Sequence, residues 1–203
     1  MSEIALFPLS SVLLASGRMS LQIFEQRYLD LVAHCMREGE GFGVVWLQQG
    51  SEVSGGSLDT PNVGEYGTYA RIVDWDQLPN GLLGITIEGH EPFDVQSVWR
   101  EPSGLVKAEV VWRDLPETIQ LPDSHASLAE VLEGLLRHPQ IQRLQLDSDL
   151  TDGWRVGAQL AQLLPIDEGL KYQLQGLTSV EQLLEEMDNI LVELSGESDQ
   201  SGR

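Results

Sequence analysis

Lysine is nearly missing from this chain. Lys107 and Lys171 are the only two, and with the arginines they make twelve basic residues against 32 acidic ones in 203 residues. The formal net charge is −20. Such a surface repels phosphate backbones at long range, which argues against nucleic-acid and anionic-membrane partners and favours basic protein surfaces. The acidity is spread along the chain, with no block long enough to read as an acidic tail. Phosphate-binding loops need a lysine after a glycine. Neither lysine follows one, so that type of ATPase is excluded.

Cysteine is scarcer still. Cys35 stands alone, which excludes an internal disulfide and a four-cysteine zinc site. It falls on the apolar stripe of a helix and reads as a small buried hydrophobe. No apolar run approaches the ~20 residues of a membrane span, and no basic–apolar–small leader opens the chain. A reduced, cytoplasmic location without membrane contact is the expectation.

Catalytic patterns are missing as well. There is no Gly-x-Ser-x-Gly elbow, and no His-Glu-x-x-His among His34, His90, His125 and His138. His90 beside Glu91 is the one pair that invites a metal or general-base reading, but the residues read more simply as a turn between strands with a solvated imidazole. Asp147-x-Asp149-x-Thr151 opens like a calcium loop. Its sixth position is Asp152 where glycine is needed and its twelfth is Ala158 where glutamate belongs, so a helix start is the better reading. Gly39-x-Gly41-x-Gly43 precedes a strand instead of following one, the wrong context for a dinucleotide fingerprint. No enzyme activity, catalytic residue, metal or cofactor is expected.

What is present begins with Leu6 to Met36. Leu6-Phe7-Pro8-Leu9 and Val12-Leu13-Leu14 are short apolar bursts between turn residues, read as strands. Met19, Leu21 and Ile23 alternate with polar neighbours, the period of a strand with one buried face. After Glu25 the period changes. Phe24, Tyr28, Leu31, Val32 and Cys35 fall on one helical stripe, which Gly39 ends. The set Pro8-Leu9, Val12-Leu13-Leu14, Gly17, Leu21, Ile23-Phe24-Glu25, Arg27-Tyr28 and Leu31 resembles the opening of the Lon protease amino-terminal (substrate-binding) domain family. This chain has Ala15-Ser16-Gly17 where that family usually has Pro-Gly, and Gln26 where it often has proline.

Downstream, Phe42 to Leu47 reads as a buried strand, and the Gly/Ser/Pro-rich Gln48 to Glu65 as a long loop. From Tyr66 to Trp112 the pattern is all strand, turned at Leu78-Pro79-Asn80-Gly81, in an antiparallel meander that closes or nearly closes. Tyr69, Arg71, Val73 and Trp75 are read as one strand face, a candidate amphipathic grip for an extended peptide. Asp74 and Asp76 flank Trp75 and are read as solvated. Past the linker at Leu115-Pro116 the pattern turns helical. Leu128, Val131, Leu132, Leu135 and Leu136 form one stripe; Val156, Leu160, Leu163 and Leu164 a second; Ile166, Leu170, Leu174 and Leu177 a third. The last helix buries Val180, Leu183, Leu184, Met187, Ile190, Leu191 and Leu194 behind a Thr178–Glu181 capping box, and Ser195 onward reads as a frayed tail.

Gly67-Thr68-x-Ala70-Arg71-Ile72, Leu82-Leu83-Gly84-Ile85-x-x-Glu88-Gly89 and Ala161-Gln162-Leu163-Leu164-Pro165 continue the Lon resemblance in order, over about Ile4 to Glu193. The expected architecture is α+β: a PUA-like antiparallel β-barrel with one crossing helix over 1–115, an α-helical bundle over 116–195 and a disordered tail over 196–203. The resemblance implies a stand-alone member without ATPase or protease modules, whose partner is an unfolded or partner polypeptide. The barrel, the groove beside the bundle or the 48–65 loop would hold it. RNA binding, which PUA-like barrels elsewhere perform, is the rival that the charge disfavours. A regulatory subunit with one dedicated partner stays open, as does the oligomeric state.

Overall fold

The change of period at Glu25 is where the first helix starts. The computed structural model describes residues 1–49, 61–114 and 118–200, with the side chains of 49 and 197–200 left aside. Helix α1, Gln26–Glu38, buries Tyr28, Leu31, Val32 and Cys35. Gly39 ends it in the left-handed conformation, at φ 71°, returning its N–H to Cys35 O. The chain forms two compact units, Met1–Leu115 and Pro116–Arg203.

The first unit holds α1 and six strands: β1 Ser2–Leu9, β2 Arg18–Ile23, β3 Phe42–Gln49, β4 Asn62–Gln77, β5 Leu83–Arg100 and β6 Val106–Trp112. The order is β2-β5-β4-β3-β1-β6, and β5 pairs with β6 as well. That added ladder, from Phe93–Trp112 to Arg100–Val106, brings the sheet back onto itself. One ladder departs from an all-antiparallel scheme. β1 and β3 run parallel, Leu6 beside Gly43 through Leu9 beside Trp46, because β2 and α1 intervene and carry the chain back to the starting end.

Three further expectations change. Val12-Leu13-Leu14 is buried but forms no strand. Its apolar character serves packing: Leu13 joins the cluster beneath α1. The run from Leu83 to Arg100 is one strand, so His90 sits inside a ladder and not in a turn. The expected loop shortens to the residues between Gln49 and Asn62, and its tip at 50–60 lies outside the described residues.

The sheet builds two clusters. Phe7, Leu9, Ile23, Phe42, Val44, Ala70, Ile85 and Ile87 pack with the buried face of α1, where Phe7 stacks on Tyr28 at 3.9 Å between ring centroids. Leu6, Val45, Phe93, Val106, Ala108 and Val110 form the other, with Tyr69 beside them and no helical residue among them. Every strand of the closed ring supplies a side chain, as expected for the filled interior of a small closed sheet. Alternation along β1 divides the two: Leu6 enters one cluster and Phe7 the other.

In the second unit a 3-10 turn, Asp123–His125, leads into α2, Ala126–Leu136. Then follow α3 Pro139–Gln142, α4 Gly153–Leu163, α5 Glu168–Gln175 and α6 Val180–Gln200. Short polar residues set the starts. Asp152 accepts from Trp154 N, Asp167 from Gly169 and Leu170 N, and Ser179 Oγ from Gln182 N. The last cap is therefore Ser179, one residue beyond the Thr178 read from the sequence. Glu181 accepts the Ser179 hydroxyl, which holds its carboxyl below the usual range. No side chain caps α2, which runs straight on from the preceding 3-10 turn. Helix α6 continues to Gln200 where the sequence alone suggests a frayed tail.

One buried amide ties a loop to this unit. Gln159, fully buried, accepts from Ser148 Oγ at 2.7 Å and donates Nε2 to Asp147 O at 3.0 Å. Gln159→Leu is expected to lower stability by about 1–3 kcal/mol, because it strands Ser148 Oγ against an apolar group, while Asp147 O keeps its bond from Arg155. Urea denaturation checks it: the midpoint falls while the slope stays constant.

Candidate functional site

The four residues read as one grip do not share a face. Strand β4 meets β5 with Ile72 opposite Ile87 and Asp74 opposite Thr86, so Val73 is an extra residue on β4. One inserted residue reverses the alternation beyond it. Tyr69 and Arg71 therefore point one way, while Trp75, opposite Ile85, joins the face of Ile72. Tyr69 is half-buried in the ring interior, its hydroxyl accepting Gly41 N at 2.6 Å and its ring edge-on to Trp112. Arg71 is exposed opposite Glu88. Val73 and Trp75 are 41% and 59% exposed. Of the expected strip, Trp75 and Val73 are the apolar groups presented to solvent.

Around Trp75 the strands form the row Leu21–Ile85–Trp75, flanked by Ser20–Thr86–Asp74 and Gln22–Gly84–Asp76. The flanking rows point to the other side of the ribbon, so an apolar face and an acidic face lie back to back. Asp74 and Asp76 each accept the following backbone N–H, from Trp75 at 2.9 Å and Gln77 at 2.7 Å. An open cavity of about 200 Å³ lies among these rows. A second, of about 190 Å³, sits between β2, the end of β1 and the start of α1, lined by Phe7, Leu9, Leu21, Ile23, Phe24 and Tyr28. Phe24 is 57% exposed at its edge. Sequence reasoning placed Phe24 on the buried stripe. It precedes the helix, and its extended neighbour Glu25 turns it outward.

A family model described as the ATP-dependent protease La (Lon) substrate-binding domain matches residues 3–193. The chain belongs to that family. A crystal structure of a Lon N-terminal domain protein from Xanthomonas campestris is similar at 34% identity and TM-score 0.71, covering 92% of this chain and 97% of that one. The N-terminal domain of the Mycobacterium avium complex Lon protease has the same fold at 12% identity and TM-score 0.60, covering 93% and 97%. No curated protein matches.

Residues that carry the Lon resemblance have visible structural work. Arg27 donates to Gly104 O at 2.9 Å and pairs with Glu25, tying the start of α1 to the β5–β6 turn. Its guanidinium also lies over the Tyr28 ring at 4.5 Å. Gly89 exchanges backbone bonds with the loop before β2, donating to Gly17 O and accepting from Ser16 N. Ser16 holds φ 61°, a left-handed backbone that favours glycine, where the family's Pro-Gly would stand.

A further cavity, of about 390 Å³, is bounded by α1, β1 and the β5–β6 turn, with Glu3, Asp30, Glu40 and Glu101 at its wall and Cys35 and Tyr69 deeper. Lys107 bridges Glu101 at 2.8 Å and Glu3 at 2.9 Å, and these bonds raise its ammonium pKa. His90 lies 3.4 Å from Glu88, which also holds Arg18. Among the described residues no three His, Cys, Asp or Glu side chains converge as a metal site would require. No described helix is long and apolar enough to cross a membrane.

Cys35 is 2% exposed. Burial, then the nearby Glu40 carboxylate, push its thiol from 9.0 up to about 11. Because the folded pKa is raised, the stability that depends on a neutral thiol is fully present below pH 9 and is lost as pH rises through about 11. At pH 8 an aromatic disulfide reagent is expected to leave Cys35 unlabelled until denaturant is added. Rapid labelling of the native chain contradicts this burial.

Proposed function

We propose that this chain recognises polypeptide clients non-catalytically. The observation that carries the reading is membership of the Lon substrate-binding domain family over residues 3–193. Two features support it. Trp75, Val73 and Phe24 hold apolar surface in solvent on the β2–β5–β4 ribbon and its entry to α1, a combination that suits contact with exposed apolar segments. The −20 charge favours clients with basic flanks and weighs against the RNA-binding alternative. Within the original four-residue set, Trp75 and Val73 are the contact residues, Arg71 is a polar neighbour on the opposite face, and Tyr69 supports the ring from inside. A reducing, cytoplasmic setting agrees with one cysteine kept buried.

The test is fluorescence anisotropy with two labelled, unfolded polypeptides of equal length, one basic and one acidic, at low and physiological salt. The basic one is expected to bind, more weakly as salt rises, and the acidic one to bind less. Equal binding of both, unchanged by salt, removes the electrostatic half. Binding of neither removes the whole reading.

A further inference from the structure

Strand β2 is an edge. It pairs with β5 from Arg18–Glu88 to Ile23–Leu83, and among the described residues no strand lies against its other side. Natural edges are commonly protected by lysine, proline or an inward charge. Met19 to Ile23 reads MSLQI and has none of these, and Ser20 and Gln22 are exposed. The 190 Å³ cavity lies along this open side, because four residues of β2 line it and none of β5 does. A free backbone edge and an apolar hole beside it are the two requirements for strand addition, in which main-chain bonds supply affinity and a pocket for alternate side chains supplies selectivity.

We infer that β2 is a docking strand: an extended segment of a foreign polypeptide adds to its free edge, places one apolar side chain in the cavity rimmed by Phe24, and carries basic residues on either side. This rests on the polypeptide-recognition reading above and names its mode and client class. Charge decides the occupant. The cations nearest the edge are already matched, Arg18 by Glu88 and Arg27 by Glu25. Asp74 and Asp76, two strands away at about 10 Å, are matched by no basic side chain among the described residues. That separation is comparable to the screening length of about 8 Å in physiological salt, so they attract a cation without touching it. A second copy of this chain would bring another −20 to the same edge. A basic segment is attracted.

The experiment uses the full chain and a labelled peptide, Lys-Thr-Phe-Thr-Leu-Thr-Lys, with hydrogen exchange read on the protein. Binding is expected to slow exchange at alternate amides within Met19–Ile23 by about tenfold or more, since every second N–H faces the added strand. Methylating the peptide nitrogens on one edge abolishes binding, while methylating the other edge does not. Phe24→Asp, at an exposed position, weakens binding about tenfold, and glutamate in place of both peptide lysines does the same. Binding with protection confined to other strands, or indifferent to methylation on both edges, overturns the docking strand and leaves polypeptide recognition standing. Failure of this peptide and of longer unfolded polypeptides alike overturns both.

Discussion

Phe93→Ala is expected to remove about 3–5 kcal/mol of stability, the range for truncating a buried aromatic. Phe93 is fully buried and meets Trp112 edge-on, 6.0 Å between centroids, where β5 and β6 close the sheet. The cost is high because the site cannot collapse. The ring lies over Gly43 of β3 and Gly67 of β4, close enough that a Cβ at either would come within 2.7–2.8 Å of its tip. Removing the ring leaves two residues without side chains facing the hole. Urea titration of the variant measures the loss. Gly43→Ala sharpens the argument, since its added methyl meets side-chain ends of Leu6, Phe93 and Ile4. It is expected to destabilise the parent and to cost less in the Phe93→Ala background, a coupling that a double-mutant cycle isolates. Additive losses contradict the packing described.

Trp75→Ser is expected to weaken client binding by about 2 kcal/mol, about thirtyfold in affinity, with little loss of stability. The indole is 59% exposed, so the folded chain loses little buried area. Large aromatic residues dominate binding energy where a partner desolvates them. Arg71→Ser is the matched control, because the reversal at Val73 turns Arg71 to the opposite face. Anisotropy titrations are expected to separate the two variants clearly. Equal losses would restore the single four-residue face.

That reversal marks the limit of what sequence pattern carries. Alternation in Thr68, Ala70 and Ile72 against Tyr69 and Arg71 holds, and Ala70 and Tyr69 do enter opposite clusters. It fails at Val73 because a bulge is set by pairing with β5, and nothing in a valine announces an extra residue. The start of α1 and its buried stripe were legible because period and the Gly39 stop are local. The parallel β1–β3 ladder and the β5–β6 closure were not, since both depend on which strands meet. Val12-Leu13-Leu14 looks like a strand for the same reason: burial and extension give one signature in short apolar runs. Phe24 and the open edge of β2 emerged only with the sheet order, because an edge is defined by a missing neighbour.

The reading as a whole holds that this molecule grips chains and leaves them unaltered. Calorimetric titration of the full protein with an unfolded basic polypeptide, followed by intact-mass measurement of the recovered polypeptide, tests that most directly. Saturable binding that weakens with salt, and a client mass identical before and after, is the predicted result. No measurable heat at any ratio, or a client returned cleaved or chemically modified, contradicts it.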